Sequence, residues 1–165
     1  MLDKPVFKEI YQVALVVRDC HAWAKKYADE YGIGPWTFNV LDPKAMKDMV
    51  MHDKEGSYAM RAAITKIGNV QFELVEPLDD KSPYAEFLKK HGEGLHHVDF
   101  LVDDYGETLR FFRGKGVGVL MGGNWHGIKF TYFDSQEELG LIAEIVEYPR
   151  GLEAPKADDV YPKAK

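Results

Sequence analysis

The chain carries an internal repeat. A repeat limits the possible folds more than any bulk property, because one unit must be built twice and packed against its own copy. Tyr11-Gln12-Val13-Ala14-Leu15-Val16-Val17-Arg18-Asp19 aligns with His96-His97-Val98-Asp99-Phe100-Leu101-Val102-Asp103-Asp104, and a helical stretch of similar length follows each. Further on, Glu73-Leu74-Val75-Glu76-Pro77 aligns with Glu144-Ile145-Val146-Glu147-Tyr148-Pro149. The spacing between these landmarks is shorter in the second copy, so its loops are shorter.

Each copy reads as a strand, a helix and three strands. In the first, Ile10–Val17 is aliphatic and β-branched, Asp19 is a helix cap, and Trp23, Tyr27 and Tyr31 recur at helical spacing before Gly32-Ile33-Gly34-Pro35 ends the helix. Strands are expected over Trp36–Leu41, Ala59–Ile67 and Val70–Val75, with Gly68-Asn69 closing a hairpin between the last two. The second copy gives a strand over Leu95–Val102 and a helix over Tyr105–Lys115 behind Asp104. Strands over Val117–Met121, Ile128–Phe133 and Leu141–Glu147 complete it. Ser82–Lys90 reads as a linking helix, Pro43–Ser57 as a polar loop or flap, and the tail from Leu152 as loosely ordered. The expected class is therefore α+β: one domain over residues 1–165 made of two tandem βαβββ modules that form a pseudo-symmetric open barrel or cleft. Its parts are a first module at 8–78, a linker helix at 79–93, a second module at 94–149 and a tail at 150–165.

Composition excludes several functions. The 165 residues are 45% hydrophobic and 29% charged, which suits a globular chain with a core of its own. A formal charge of −6, with the acidic groups scattered, argues against a nucleic-acid partner, which requires a concentrated basic surface. Cys20 stands alone and cannot form an internal disulfide, so a reducing compartment, the cytoplasm, is expected. Met1–Ile10 lacks the apolar stretch of a signal peptide and no apolar run approaches the ~20 residues that cross a bilayer, so neither secretion nor membrane insertion is expected.

Along a strand, residues two apart share a face, so Gln12, Ala14 and Val16 point one way, as do His97, Asp99 and Leu101. Glu73 and Glu144 occupy matching positions in the last strand of each copy, inside otherwise apolar segments. If the copies pack about a pseudo-twofold axis, Gln12, Glu73, His97 and Glu144 meet in one cleft. Two buried carboxylates at related positions need compensation. One imidazole, two carboxylates and an amide oxygen make a ligand set for zinc or another first-row divalent ion. Taken singly, each of these residues has a blander account, with the carboxylates in solvent and His97 a satisfied core histidine; the matched positions across the repeat favour convergence.

These residues carry a resemblance. Two strand-helix-three-strand modules with metal-facing residues on first and last strands resemble the vicinal oxygen chelate superfamily, which includes glyoxalase I, extradiol dioxygenases, bleomycin-resistance proteins and methylmalonyl-CoA epimerases. The epimerase branch is the nearest. Val70-Gln71-Phe72-Glu73-Leu74-Val75-Glu76-Pro77-Leu78, Ser82-Pro83-Tyr84-Ala85-Glu86-Phe87-Leu88, Gly92-Glu93-Gly94-Leu95-His96-His97-Val98 and Gly140-Leu141-Ile142-Ala143-Glu144 are similar to its segments. The resemblance implies His97 rather than His96 as ligand, a divalent metal (Co, Mn, Ni or Zn) as cofactor, and a homodimer. The chain departs from the pattern in three places. Gln12 stands where the branch has His, Asp99 where it has a small apolar residue, and Arg61 near where some members carry a catalytic Glu.

The resemblance implies a racemase or epimerase that removes and returns a proton beside a carbonyl, with Glu144 as ligand or proton shuttle and Asp99 as a second base. The small-molecule substrate is an acyl-CoA by default. The 13% of aromatic residues also fits an aromatic ketone such as a dihydroisoflavone (dihydrodaidzein), since racemases of that substrate resemble the same branch. Trp36, Arg61, Trp125, His126 and Tyr132 are the expected substrate contacts, though aromatic side chains on strands are more often core. His52 and Lys54 belong to the polar loop, and Gly122–Gly127 is expected as a flexible turn at the cleft mouth without the context of a phosphate-binding loop. A glyoxalase I-like lyase and a non-catalytic, bleomycin-resistance-like binding protein are the alternatives. Extradiol dioxygenase chemistry fits less well, because it requires two His and one carboxylate.

Overall fold

A computed structural model describes residues 4–153 and 155–163. The elements in chain order are β1 (Glu9–Val16), α1 (Cys20–Tyr31), β2 (Trp36–Leu41), β3 (Met46–Met51), β4 (Lys54–Glu55), β5 (Met60–Ile67), β6 (Val70–Pro77), α2 (Pro83–His91), β7 (Gly94–Leu101), α3 (Tyr105–Gly114), β8 (Val119–Trp125), β9 (Ile128–Phe133), α4 (Gln136–Leu139), β10 (Ile142–Glu147) and β11 (Asp159–Tyr161). All eleven strands join one curled sheet in the order β11-β2-β5-β6-β1-β7-β10-β9-β8-β3-β4. Counted outward from the central β1–β7 pair, each half runs first strand, last strand, third strand, second strand. The pseudo-twofold axis expected from the repeat therefore passes between β1 and β7, which pair antiparallel within one chain. No helix among the described residues is long and apolar enough to cross a membrane.

Local chemistry sets the element ends. The Asp19 side chain accepts from Ala22 N at 2.9 Å and Asp104 from Glu107 N at 2.6 Å, each satisfying an otherwise free N–H at a helix start. Gly32 ends α1 in the left-handed region at φ 66°, and Gly68 takes φ 61° in the two-residue β5–β6 turn, conformations that cost a side chain but not glycine.

Three apolar clusters follow from strand alternation. On the convex face, α1 covers Val17, Trp36, Phe38, Ala63 and Leu74, while α3 packs its Phe112 against Phe133, Ala143 and Ile145. On the concave face, Val16, Met60, Val75, Met121 and Phe130 gather around Tyr84 of α2, which closes one end of the half-barrel.

Three segments differ from the expectation. Residues 43–57 hold β3 and β4, and β3 crosses from the first half to pair with β8 of the second. Asp48 at φ 52° and a register shift between Lys47 and Val50 break the alternation that would have marked a strand. Met46 and Met49 are buried against the concave core. The four residues Asp42–Ala45 join β2 to β3, which stand near opposite ends of the strand order, so the sheet must curl until its two edges nearly meet. The tail contributes β11, which pairs with β2; Ala154 and the last two tail residues lie outside the described residues. Gly122–Trp125 is strand rather than flexible turn. A Cβ at Gly122 would lie 2.9 Å from the Phe130 carbonyl oxygen, so the glycine permits close pairing of β8 and β9.

Candidate active site

The cleft opens on the concave face. Leu41, Met60, Ile64, Ile128, Phe130 and Val146 form its apolar walls, and Gln12, Gln71, Glu73 and Glu144 its polar floor. Its volume is about 100 Å³, room for the reacting end of a ligand with the remainder outside.

Strand register explains the convergence. In the first half Gln12 lies opposite Gln71 and Ala14 opposite Glu73; in the second His97 lies opposite Ile142 and Asp99 opposite Glu144. Gln12 and His97 are thus structural equivalents, as are Glu73 and Glu144, and as are Ala14 and Asp99. Across the central pair, Gln12 faces Asp99 and Ala14 faces His97. The register therefore gathers Gln12, Glu73, His97, Asp99 and Glu144 on the concave side, with Gln12, Glu73 and Glu144 lining the cleft and His97 and Asp99 buried behind that lining.

His97 Nε2 lies 3.3 Å from Glu73 Oε2 and 3.2 Å from Glu144 Oε2, and both ion pairs are buried. His97 Nε2 and Glu144 Oε2 are buried without a hydrogen-bond partner, as are both Asp99 oxygens. Burial alone would lower the His97 pKa, but Glu144 and Glu73 outweigh it and raise it to about 9. Asp99 rises to about 8, first through burial and then through Glu144, and Glu144 itself is raised chiefly by burial. Tyr132 and Tyr84, whose hydroxyls hydrogen-bond at 2.8 Å, back this floor and stay neutral because burial opposes their ionisation.

Among the described residues no three His, Cys, Asp or Glu side chains are arranged as a metal-binding group. The donor separations nevertheless suit one. Metal–ligand bonds of about 2.1 Å set donors roughly 3.0–3.4 Å apart, the spacing found around His97 Nε2. The partnerless buried atoms and the mixture of one imidazole, two carboxylates and an amide oxygen also fit a divalent first-row cation.

Other expected site residues are placed as follows. Trp125 and Tyr132 line the cleft. Trp36 does not: it is fully buried on the convex face beneath α1, its Nε1 donating to the Ile33 carbonyl at 2.7 Å. Arg61 also points to the convex side, where it pairs with Glu76 at 2.7 Å, because on β5 the cleft face belongs to Met60, Ala62 and Ile64. A one-residue difference in register reverses the face of a strand residue, which is what separates Arg61 from a cleft role. His126 is exposed in the β8–β9 turn and lines an outer groove bounded by Lys156 and Asp158, not the cleft. His52 is exposed at the β3–β4 turn, its Nε2 3.5 Å from Glu86.

Sequence reasoning missed four residues here. Gln71 and Tyr148 follow from period two on β6 and beyond β10, as Glu73 minus two and Val146 plus two. Tyr11 and His96 have no such signal, because each is the extra residue of a bulge in the β1–β7 pairing. The bulges fall at equivalent positions, immediately before Gln12 and His97, and turn two consecutive side chains toward the cleft side. Tyr11 Oη accepts from Gln71 Nε2 at 3.1 Å, and His96 Nδ1 stands 2.9 Å from His97 Nδ1.

A family model described as Glyoxalase/Bleomycin resistance protein/Dioxygenase superfamily matches residues 11–132, most of both modules. The chain belongs to this superfamily. It is 29% identical over 130 residues to the uncharacterized protein YqjC of Bacillus subtilis, covering 72% of this chain and 91% of that one. It is 25% identical over 138 residues to the ethylmalonyl-CoA/methylmalonyl-CoA epimerase of Cereibacter sphaeroides, covering 81% and 92%. Among solved structures, a variant of Streptomyces coelicolor methylmalonyl-CoA epimerase in complex with 2-nitronate-propionyl-CoA superimposes with a TM-score of 0.64 at 24% identity, over 90% of this chain and 99% of that one. At that identity the likeness is one of fold.

Proposed function

We propose that this superfamily member is an epimerase or racemase that removes and returns the proton on a carbon α to a carbonyl. The observation that carries the reading is the meeting of Glu73 and Glu144, one from each half, at 3.3 and 3.2 Å from His97 Nε2 on the floor of an otherwise apolar cleft. Such a carbon acid is weak. The site must stabilise negative charge on the carbonyl oxygen and bring a base to within about 3 Å of the α-hydrogen.

His97, Glu73, Glu144 and the Gln12 amide oxygen would hold a divalent ion of the Co, Mn, Ni or Zn type, which when bound supplies Lewis-acid stabilisation of that oxygen. Glu144, at the cleft surface, is the proton shuttle. Asp99, its neighbour across the β7–β10 pairing, is the second acid–base group, held protonated near neutrality by burial and by the Glu144 charge. The apolar walls keep bulk water from the floor and strengthen every charge interaction there. A cytoplasmic homodimer belongs to the same proposal, on the lone cysteine and the family resemblance.

Acyl-CoA relatives make methylmalonyl-CoA the first candidate substrate. A second reading, an uncharged aromatic ketone such as dihydrodaidzein, is favoured by one observation: among the described residues no Lys or Arg lines the cleft. The carboxylate of a methylmalonyl group would find no Lys or Arg partner there. Proton NMR in D₂O with each compound tests both readings. Loss of the α-proton signal with dihydrodaidzein alone selects the ketone, and loss with methylmalonyl-CoA alone removes it. Exchange with neither overturns the proposal and leaves the lyase and the binding protein as rivals.

A further inference from the structure

We infer that His96 is a positioning residue whose Nδ1 accepts the Nδ1–H of His97 and so holds that ring with Nε2 turned toward Glu73 and Glu144. The inference rests on reading that cluster as a cation site. Consecutive strand residues normally face opposite sides of a sheet. Here Ala14 pairs with His97 and Leu15 with Leu95, leaving His96 as the extra residue of the bulge and placing both imidazoles on one side.

The two Nδ1 atoms are 2.9 Å apart, so one must donate and the other accept. The aromatic environment of His96 holds the ring in place: Tyr84 and Phe87 lie 5.0 Å from it, Phe87 edge-on. His96 and His97 are 5% and 1% exposed, so water does not compete for the bond. If His96 donated, His97 would carry its proton on Nε2, the nitrogen that faces the carboxylates, and could not act as a ligand. With His96 accepting, Nδ1 keeps its proton, and Nε2 is the nitrogen that can give up its own to become a ligand. Metal-bound histidines commonly give their second N–H to a fixed acceptor in this way, and loss of such an acceptor typically weakens metal affinity about 10- to 100-fold.

The test has two arms. In the metal-free wild-type chain, ¹⁵N shifts of the two imidazoles are measured. The expected state of His96 is protonated at Nε2 with an unprotonated Nδ1; a proton on His96 Nδ1 overturns the inference. In the second arm Co²⁺ alone is titrated into wild type, His96→Phe and His96→Asn, followed by its visible absorption. His96→Phe keeps an aromatic ring but has no acceptor and is expected to bind at least tenfold more weakly. His96→Asn presents Oδ1 in place of Nδ1 and is expected to recover most of the affinity. Equal weakening of both variants, or none, overturns the inference. If the wild type itself takes no Co²⁺, the cation reading fails and the nitrogen shifts alone decide the role of His96.

Discussion

The two halves of the sheet share a strand plan and differ in what they bring to its centre. Each supplies one glutamate at the same position, Glu73 or Glu144. The second half adds His97 and Asp99 where the first has Gln12 and Ala14, so the buried ionisable groups at these matched positions come from one side only. Register was duplicated and chemistry was not. The backbone repeat forces the carboxylates together, and the unequal first strands decide what holds them there.

Breaking the unequal part should have the largest effect. His97→Leu leaves Glu73 and Glu144 buried without the imidazole between them, and about 3–5 kcal/mol of stability is expected to go, with Co²⁺ affinity. The same change at its counterpart, Gln12→Leu, should cost far less in urea unfolding. Equal losses would mean that the halves are energetically alike. Next come the two tryptophans that the structure separates. Trp36→Ala empties a fully buried convex site and is expected to cost about 3–5 kcal/mol without changing KM. Trp125→Ala should raise KM with little change in unfolding; a reversed pattern would put the cleft on the wrong face.

Making the halves alike is the finer test. Gln12→His supplies a second imidazole at the equivalent position and is expected to tighten Co²⁺ binding roughly tenfold. Unchanged affinity would remove Gln12 from the ligand set. Asp99→Ala copies Ala14, and the expected effect is on pH dependence. The folded-state pKa of Asp99 is raised from 3.8 to about 8, so its contribution to stability is fully present below the unfolded value and is lost as pH rises through about 8. Metal-free Asp99→Ala should therefore lose less stability between pH 5 and pH 8 than the wild type does. Parallel pH profiles would contradict a buried, proton-holding Asp99.

What was legible in the sequence follows the same division. The repeat disclosed the strand-helix-three-strand plan and the matched glutamates, because a period of two survives in strands buried on one face. It did not disclose β3, whose alternation breaks at Asp48, nor β11, three residues whose pairing depends on a distant β2 edge. Residue type alone points Trp36 and Arg61 to the cleft, and strand parity points both away from it. Parity puts Asn39 and Leu41 of β2 on the cleft side, and Trp36 and Phe38 beneath α1. Tyr11 and His96 were beyond reach, since a bulge changes facing without leaving a pattern in residue type.

One measurement tests the centre most directly: calorimetric titration of the metal-free chain with Co²⁺ at pH 7 in buffers of different ionisation heat. His97, held as imidazolium with its pKa near 9 by Glu144 and Glu73, must give up its Nε2 proton to become a ligand. The expected result is one Co²⁺ per chain with release of about one proton, and loss of both in His97→Leu. Uptake of Co²⁺ with no proton released, or uptake undiminished in His97→Leu, would contradict a cation held between the two halves by His97.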